Sequence, residues 1–217
     1  MGRSTRVAVK IEALGLHKRY GRQFVVREFF HVFESGSRSA IAGPNGSGKS
    51  TLVRMLSGQL MPSAGELRFS ESEIRIAPDD MARRVALCAP YVELIEELTG
   101  EEALQLHANL RGFRQNITPN DIWAKLGWHK RTQKNPVRTY SSGMRQRIML
   151  CLALASDAGA VLLDEPTSNL DAEGVAWYRE LLRAWLDNRT LIVASNEERD
   201  FVDCKSRIEH TQWGIHG

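Results

Sequence analysis

Residues 43–51 read GPNGSGKST, and this stretch decides the fold. It satisfies the pattern G-x-x-x-x-G-K-[ST] without a mismatch, it follows the apolar run RSAIA, and it precedes the helix-forming run TLVRMLSG. In such a loop the glycines let backbone N–H groups close around a polyphosphate, and the helix N-terminus adds its positive end. The sequence therefore predicts a strand, a phosphate-binding loop and a helix. The expected binding residues are Gly43, Pro44, Asn45, Gly46, Ser47, Gly48, Lys49, Ser50 and Thr51, with Lys49 on the outer phosphates and Ser50 on Mg²⁺.

A second motif, VLLDE at residues 161–165, is an apolar strand that ends in two acids. A carboxylate at the end of a buried strand beside a phosphate loop can hold the hydration shell of Mg²⁺. The next carboxylate can orient or deprotonate an attacking water. We therefore predict that Asp164 serves the metal and that Glu165 is catalytic.

Apolar runs alternate with helical patterns along the chain, which predicts an α/β fold with a mostly parallel sheet. Strands are expected near 7–14, 24–33, 38–42, 84–89, 160–164 and 190–195, and the last two are almost continuously hydrophobic, as in doubly covered parallel strands. Helix starts are marked by Thr99 with Glu102 and by Thr118 with Asp121, and apolar residues at helical spacing predict a helix over 174–188.

Bulk properties are those of a globular protein: 217 residues, of which 42% are hydrophobic and 25% charged. No apolar run approaches the ~18 residues of a membrane span, and the N-terminus lacks a signal-peptide core, so we expect a cytoplasmic location. The three cysteines are expected to be free buried thiols. Residues 122–156 hold seven basic residues and no acid, which we interpret as a phosphate field and a solvated face; direct nucleic-acid binding is not expected.

Taken together, the motifs resemble those of the nucleotide-binding subunits of ABC-type ATPases. GPNGSGKST resembles the family's Walker A loop, VLLDEPTSNLD its Walker B strand and D-loop, and YSSGMRQR at 140–147 its signature sequence. The resemblance implies a P-loop NTPase core with an N-terminal antiparallel β-subdomain. It also implies one ATPase domain over 1–217, with the core at about 1–90 and 156–217 and an inserted helical subdomain at about 91–155. Tyr20 matches the family's aromatic residue that stacks on adenine.

The signature raises the question of why one chain carries a second phosphate site. In the family, two subunits sandwich two ATP molecules head to tail, so the signature of one faces the Walker A loop of the other. Ser141, Ser142 and Gly143, at a helix start in acid-free surroundings, offer hydroxyl and backbone donors to the γ-phosphate of the partner's ATP. The resemblance implies ATP and Mg²⁺ as cofactors, a homodimer or heterodimer of ATPase subunits, a separate transmembrane permease, and a peripheral position on the cytoplasmic face of the membrane.

Two positions depart from the family pattern. Pro90 stands where the family has a Gln that senses the γ-phosphate, and Asn196 follows the strand LIVAS where the family has a His. Asn196 can donate a hydrogen bond but cannot carry a proton or a charge, so we expect it at the catalytic site in a weaker role and expect slower hydrolysis. The acidic residues after Pro90 are expected to form part of the surface that meets the transmembrane subunit, or else only a solvated face.

Two other functions remain open from the sequence. A soluble ABC-type switch would bind ATP to open and close on a protein or nucleic-acid partner, with weak hydrolysis. A P-loop small-molecule kinase would share the phosphate loop, but YSSGMRQR and SNLD argue against it. The transported substrate, and import versus export, cannot be read from this chain.

Overall fold

The architecture is taken from a computed structural model that describes residues 7–114 and 116–213, without the side chains of residues 78 and 79. The first six and last four residues of the expected 1–217 domain lie outside the described part. The strands are β1 (Val9–Tyr20), β2 (Gln23–Phe33), β3 (Arg38–Ala42), β4 (Ala64–Glu71), β5 (Ile74–Arg75), β6 (Val85–Cys88), β7 (Ala160–Asp164), β8 (Thr190–Ser195) and β9 (Ser206–Glu209). The helices are α1 (Lys49–Leu56), α2 (Pro78–Arg84), α3 (Gly100–Arg111), α4 (Pro119–Leu126), α5 (Lys130–Gln133), α6 (Ser142–Ala155) and α7 (Ala172–Trp185).

A parallel sheet in the order β6-β7-β8-β3-β9 carries the phosphate loop. Strand β7 is continuously hydrophobic because its two faces lie in different cores. Val161 and Leu163 pack with the helices α3, α4, α6 and α7, whereas Ala160 and Leu162 pack with α1 and the second sheet. The carboxyl ends of β3, β7 and β8 meet at one edge, where ligands bind in wound α/β sheets.

The second sheet is antiparallel, in the order β2-β1-β4-β5, as the predicted N-terminal β-subdomain requires. Strand β1 runs to Tyr20, beyond the expected end near residue 14, because it pairs with β2 through the whole hairpin and with β4 on its other side. Its apolar side chains Val9, Ile11 and Leu16 are fully buried against α1 and the parallel sheet.

The segment 91–155 holds α3 to α6, and both predicted capping boxes are present. The Thr99 hydroxyl accepts from the Glu102 N–H at 3.2 Å, and the Thr118 hydroxyl accepts from the Asp121 N–H at 3.3 Å. The cysteines are free, as predicted; Cys88 and Cys151 are buried and Cys204 is half-buried. Within 7–114 and 116–213, no helix is both long and apolar enough to span a bilayer.

Candidate nucleotide site

The phosphate loop turns sharply between β3 and α1. Gly48 precedes the helix with φ at +92°, and a β-carbon there would lie 2.7 Å from the Val25 carbonyl oxygen of β2. Glycine is therefore required both for the left-handed backbone and for the close approach. The helix begins without an acidic residue in its first turn, so its positive end faces the loop uncompensated.

Lys49 occupies the centre of this loop. Its ammonium group donates to the carbonyl oxygens of Gly43 at 2.8 Å and Pro44 at 3.1 Å, and it lies 3.5 Å from Glu165 Oε1. Only 5% of the Lys49 side chain is exposed, so its charge is held in a position of low dielectric constant. The structure thus brings Walker A and Walker B together as the sequence predicts.

Asp164 ends β7 beneath the loop and is fully buried. Burial raises the pKa of its carboxyl to about 6, and the neighbouring Glu165 charge adds to the rise, whereas the Ser50 hydroxyl and Lys49 oppose it. Neither carboxylate oxygen has a hydrogen-bond partner of normal geometry among the described residues. A buried, unsatisfied carboxylate beside a hydroxyl is the donor set that a hard cation requires, so Asp164 and Ser50 fit Mg²⁺.

Glu165 follows with φ at +49°, a left-handed conformation that is uncommon for a residue other than glycine. Its N–H donates to the Ala194 carbonyl at 2.8 Å, and its Oε2 accepts from the Ser195 hydroxyl at 2.8 Å. Asn196, the predicted catalytic residue on this side, is exposed directly after β8. From β8, Ser195 contacts Glu165, although sequence reasoning did not assign it to the site. The role of Asn196 stays a prediction.

Trp213 contacts the phosphate loop, and the sequence analysis did not predict this contact. Its indole N–H donates to the Ser47 carbonyl at 3.0 Å, its own carbonyl accepts from the Arg27 N–H, and its ring meets Phe29 edge-on at 6.1 Å. Only 1% of the residue is exposed. The sequence held no signal for this contact beyond a lone aromatic residue, because 166 positions separate Trp213 from Ser47.

Tyr20 ends β1 and pairs with Gln23 across the hairpin turn. It is 50% exposed, and the Lys18 ammonium lies 5.5 Å from its ring centroid. The same hairpin reaches the phosphate loop through Val25, which supplies the carbonyl oxygen beside Gly48. An exposed ring on this hairpin is compatible with the expected stacking on adenine, which remains a prediction.

The signature residues open α6 in a cavity of their own. Ser141 caps the helix by accepting from the Met144 N–H at 3.2 Å, which leaves its hydroxyl proton free to point outward. A cavity of about 390 Å³ is lined by Ser141, Ser142, Gly143, Trp128, Met144, Arg147 and the D-loop residues 169–171. The structure does not bring this cavity together with Lys49 and Glu165 into one pocket. Within one chain, the two predicted phosphate sites are thus separate.

In the segment after β6, Tyr91 rather than Pro90 makes a side-chain contact with the core. Pro90 is exposed, whereas the ring of Tyr91 lies 5.3 Å from the Arg54 guanidinium of α1. Burial raises the pKa of the Tyr91 hydroxyl, and the Asp164 charge adds to the rise, which places this hydroxyl within the field of Walker B. Tyr91 is therefore the residue of this segment whose hydroxyl responds to the charge of Asp164.

Comparison with known proteins agrees with this geometry. A relative from Streptomyces peucetius, the daunorubicin/doxorubicin resistance ATP-binding protein, is 30% identical over 203 residues, which are 92% of this chain and 61% of that protein. The chain thus spans about three fifths of the length of such relatives. A solved ATP-binding subunit of an ABC transporter superposes with a TM-score of 0.77 at 25% identity, over 92% of this chain and 85% of that one.

A dimeric bacterial ABC transporter cassette superposes with a TM-score of 0.75 at 21% identity, over 92% of this chain and 94% of that one, which shows a shared fold. The model of the ABC transporter family matches residues 30–168, the span from β2 through both Walker motifs and the signature. The chain belongs to the ABC transporter family, as an ATP-binding domain.

Proposed function

We propose that the protein is the ATP-binding and ATP-hydrolysing subunit of an ABC transporter, and that ATP drives its dimerisation. The observation that carries this proposal is the division of phosphate-binding groups between two separate sites in one chain. Lys49 and Glu165 lie 3.5 Å apart in one site, while Ser141 to Gly143 line a cavity elsewhere. A second subunit placed head to tail would complete both sites, which supports a nucleotide-bridged dimer.

Hydrolysis in this site would be an in-line displacement at the γ-phosphorus. The Glu165 carboxylate accepts a proton from the attacking water as the water oxygen bonds to phosphorus; the bond to the bridging oxygen breaks, and ADP leaves with the electron pair. Lys49 stabilises the charge on the transferred group. Ser50 and Asp164 would hold Mg²⁺, which, when bound, neutralises charge on the phosphate oxygens; the two unsatisfied Asp164 oxygens support this assignment.

The remaining partner is a separate transmembrane permease, which would hold the chain on the cytoplasmic face of the membrane. Support comes from relatives such as the daunorubicin/doxorubicin resistance ATP-binding protein. The segment 89–97 is the candidate surface for this permease, because Glu93, Glu96 and Glu97 are exposed to solvent and the charge of Asp164 acts on the Tyr91 hydroxyl. Nucleic acid is not expected as a partner.

The decisive experiment uses Glu165→Gln, which keeps the shape of the side chain but removes the proton acceptor. With saturating Mg-ATP, size-exclusion chromatography is expected to show a nucleotide-dependent shift to twice the monomer mass. Ser142→Glu in the same background serves as the matched control, because an acid at the signature repels the partner's γ-phosphate without touching Walker A. It should bind ATP and remain monomeric. A Glu165→Gln peak that does not move, under ATP concentrations shown to saturate binding, refutes the ATP-driven dimer.

A further inference from the structure

A buried hydrogen-bonded cluster lies behind Glu165. Ser195 Oγ is 2.8 Å from Glu165 Oε2 and 2.6 Å from Asp200 Oδ2. Asp200 is 1% exposed, and its other carboxyl oxygen accepts from the hydroxyl of Thr167, which is equally buried. A single hydroxyl thus joins the partly exposed Glu165 to a buried carboxyl that does not reach the nucleotide loop.

The Ser195 hydroxyl is at the centre of this cluster. Ser195 Oγ already accepts from the Glu197 N–H at 3.0 Å, and the hydroxyl has only one hydrogen to donate. Two carboxylate oxygens lie within hydrogen-bond distance of it, so only one of them can receive that hydrogen. Ser195 Oγ is therefore held by three neighbours at once, the Glu197 N–H and the two carboxyl groups.

Asp200 is the more buried of the two carboxyl groups, with 1% of the residue exposed against 23% of the Glu165 side chain. Burial raises the pKa of Asp200, and the Glu165 charge acts in the same direction, against the hydrogen bonds from Ser195 and Thr167. The contacts therefore run from the buried Asp200 through the Ser195 hydroxyl to Glu165.

The cluster is also rigid. Asp200 lies in a 3-10 turn over Glu198–Asp200, where its N–H donates to the Glu197 carbonyl at 3.1 Å and its carbonyl accepts from the Tyr178 hydroxyl at 3.2 Å. The backbone of Glu165 is fixed at φ +49° by its bond to Ala194. The remaining freedom of Glu165 is in its side chain, where Ser195 holds Oε2 by a hydrogen bond and the Lys49 ammonium lies 3.5 Å from Oε1.

We propose that Asp200, acting through Ser195, holds the Glu165 carboxylate in the orientation from which it acts on the attacking water. Asp200 and Ser195 are positioning residues, because they act through Glu165. This inference rests on the proposed hydrolysis. Failure of this inference can be told apart from failure of the proposed hydrolysis. Turnover by wild type tests hydrolysis itself, whereas the variants below test only the orientation of Glu165.

The test compares steady-state ATP hydrolysis of the full chain and its variants. Ser195→Ala and Asp200→Ala are expected to lower kcat by about 10-fold to about 100-fold with KM for ATP almost unchanged, because a displaced catalytic group slows chemistry without weakening binding. Asp200→Asn is expected to stay within about 3-fold of wild type, since its amide has the same shape and keeps polar atoms against Ser195 and Thr167. Thr190→Val, which removes another buried hydroxyl from β8, is the matched control and should keep wild-type kcat.

A double-mutant cycle separates positioning from a general structural role. In the Glu165→Gln background, single-turnover hydrolysis should fall no further when Asp200→Ala is added, because the residue acts only through the missing carboxylate. An equal fold-loss in both backgrounds would overturn the proposal. So would full activity of Ser195→Ala, the smallest of the changes, or an Asp200→Asn variant as slow as Asp200→Ala. If Asp200→Ala does not fold, Ser195→Ala enters the same cycle.

Discussion

The Asp164→Asn substitution should make the chain more stable while abolishing its response to Mg-ATP. Asp164 is fully buried, and burial raises the pKa of its carboxyl from 3.8 to about 6. A raised pKa means that the folded chain disfavours the ionised form. The Asp164 carboxyl therefore lowers the free energy of unfolding at every pH above its pKa in the unfolded chain. The penalty vanishes well below pH 3.8 and is complete above pH 6; at about 1.4 kcal/mol per pH unit it reaches about 3 kcal/mol.

A neutral amide removes this penalty. In urea unfolding without nucleotide, Asp164→Asn should therefore raise the free energy of unfolding by about 3 kcal/mol at pH 8 and by only about 1 kcal/mol at pH 4.5. Asp203→Asn, an exposed carboxylate near Arg38, serves as control and should change it by less than about 0.5 kcal/mol. Mg-ATP should raise the Tm of wild type but not of Asp164→Asn. A gain that is the same at both pH values, or a loss at pH 8, would refute the reasoning.

Two further predictions concern side chains that the sequence did not single out. Trp213→Phe should weaken ATP binding about five-fold by equilibrium titration, because the loop loses the hydrogen bond to Ser47, worth about 1 kcal/mol; unchanged affinity would show that the loop holds its shape alone. Burial lowers the pKa of His107 to about 4. Between pH 6.5 and pH 4 the unfolded chain binds a proton at this residue and the folded chain does not, so the free energy of unfolding of wild type should fall by up to about 3 kcal/mol. His107→Gln should lose correspondingly less in urea unfolding over that range, and identical pH curves would contradict the assignment.

The sequence predicts the inner strands of the parallel sheet well because they are buried on both faces. Strands β3, β7 and β8 have the predicted bounds. Strands β4 and β9 were not predicted, since AGELRFSE and SRIE are mostly polar and half-exposed, and their conformation depends on pairing with β1 and β3. Such strands owe their form to distant partners, and a local pattern does not carry that information.

The residues of the candidate site also fall into two groups, those that a local sequence motif reveals and those that only the fold brings together. Lys49, Asp164 and Glu165 lie in contiguous motifs whose chemistry is visible in the sequence. Ser195 and Asp200 act because a strand and a turn bring them to Glu165, 30 or more positions away along the chain. Ser195 follows an apolar strand and precedes the position of the family's His, so its place was foreseeable even though its bond to Glu165 was not.

The segment that starts at Glu165 also joins the two half-sites of the chain. Gln146 of α6 donates to the Pro166 carbonyl at 2.7 Å, and a β-carbon at Gly143 would lie only 2.9 Å from the Asn169 carbonyl oxygen. The signature end of α6 is thus packed directly on the residues that follow Glu165. Because packed contacts of this kind resist small continuous deformation, a shift of α6 caused by a partner's nucleotide at Gly143 must either break the bond to Pro166 or move this segment. The order Glu165, Pro166, Asn169 along five residues therefore gives the signature a short mechanical route to the residue that we propose acts on water.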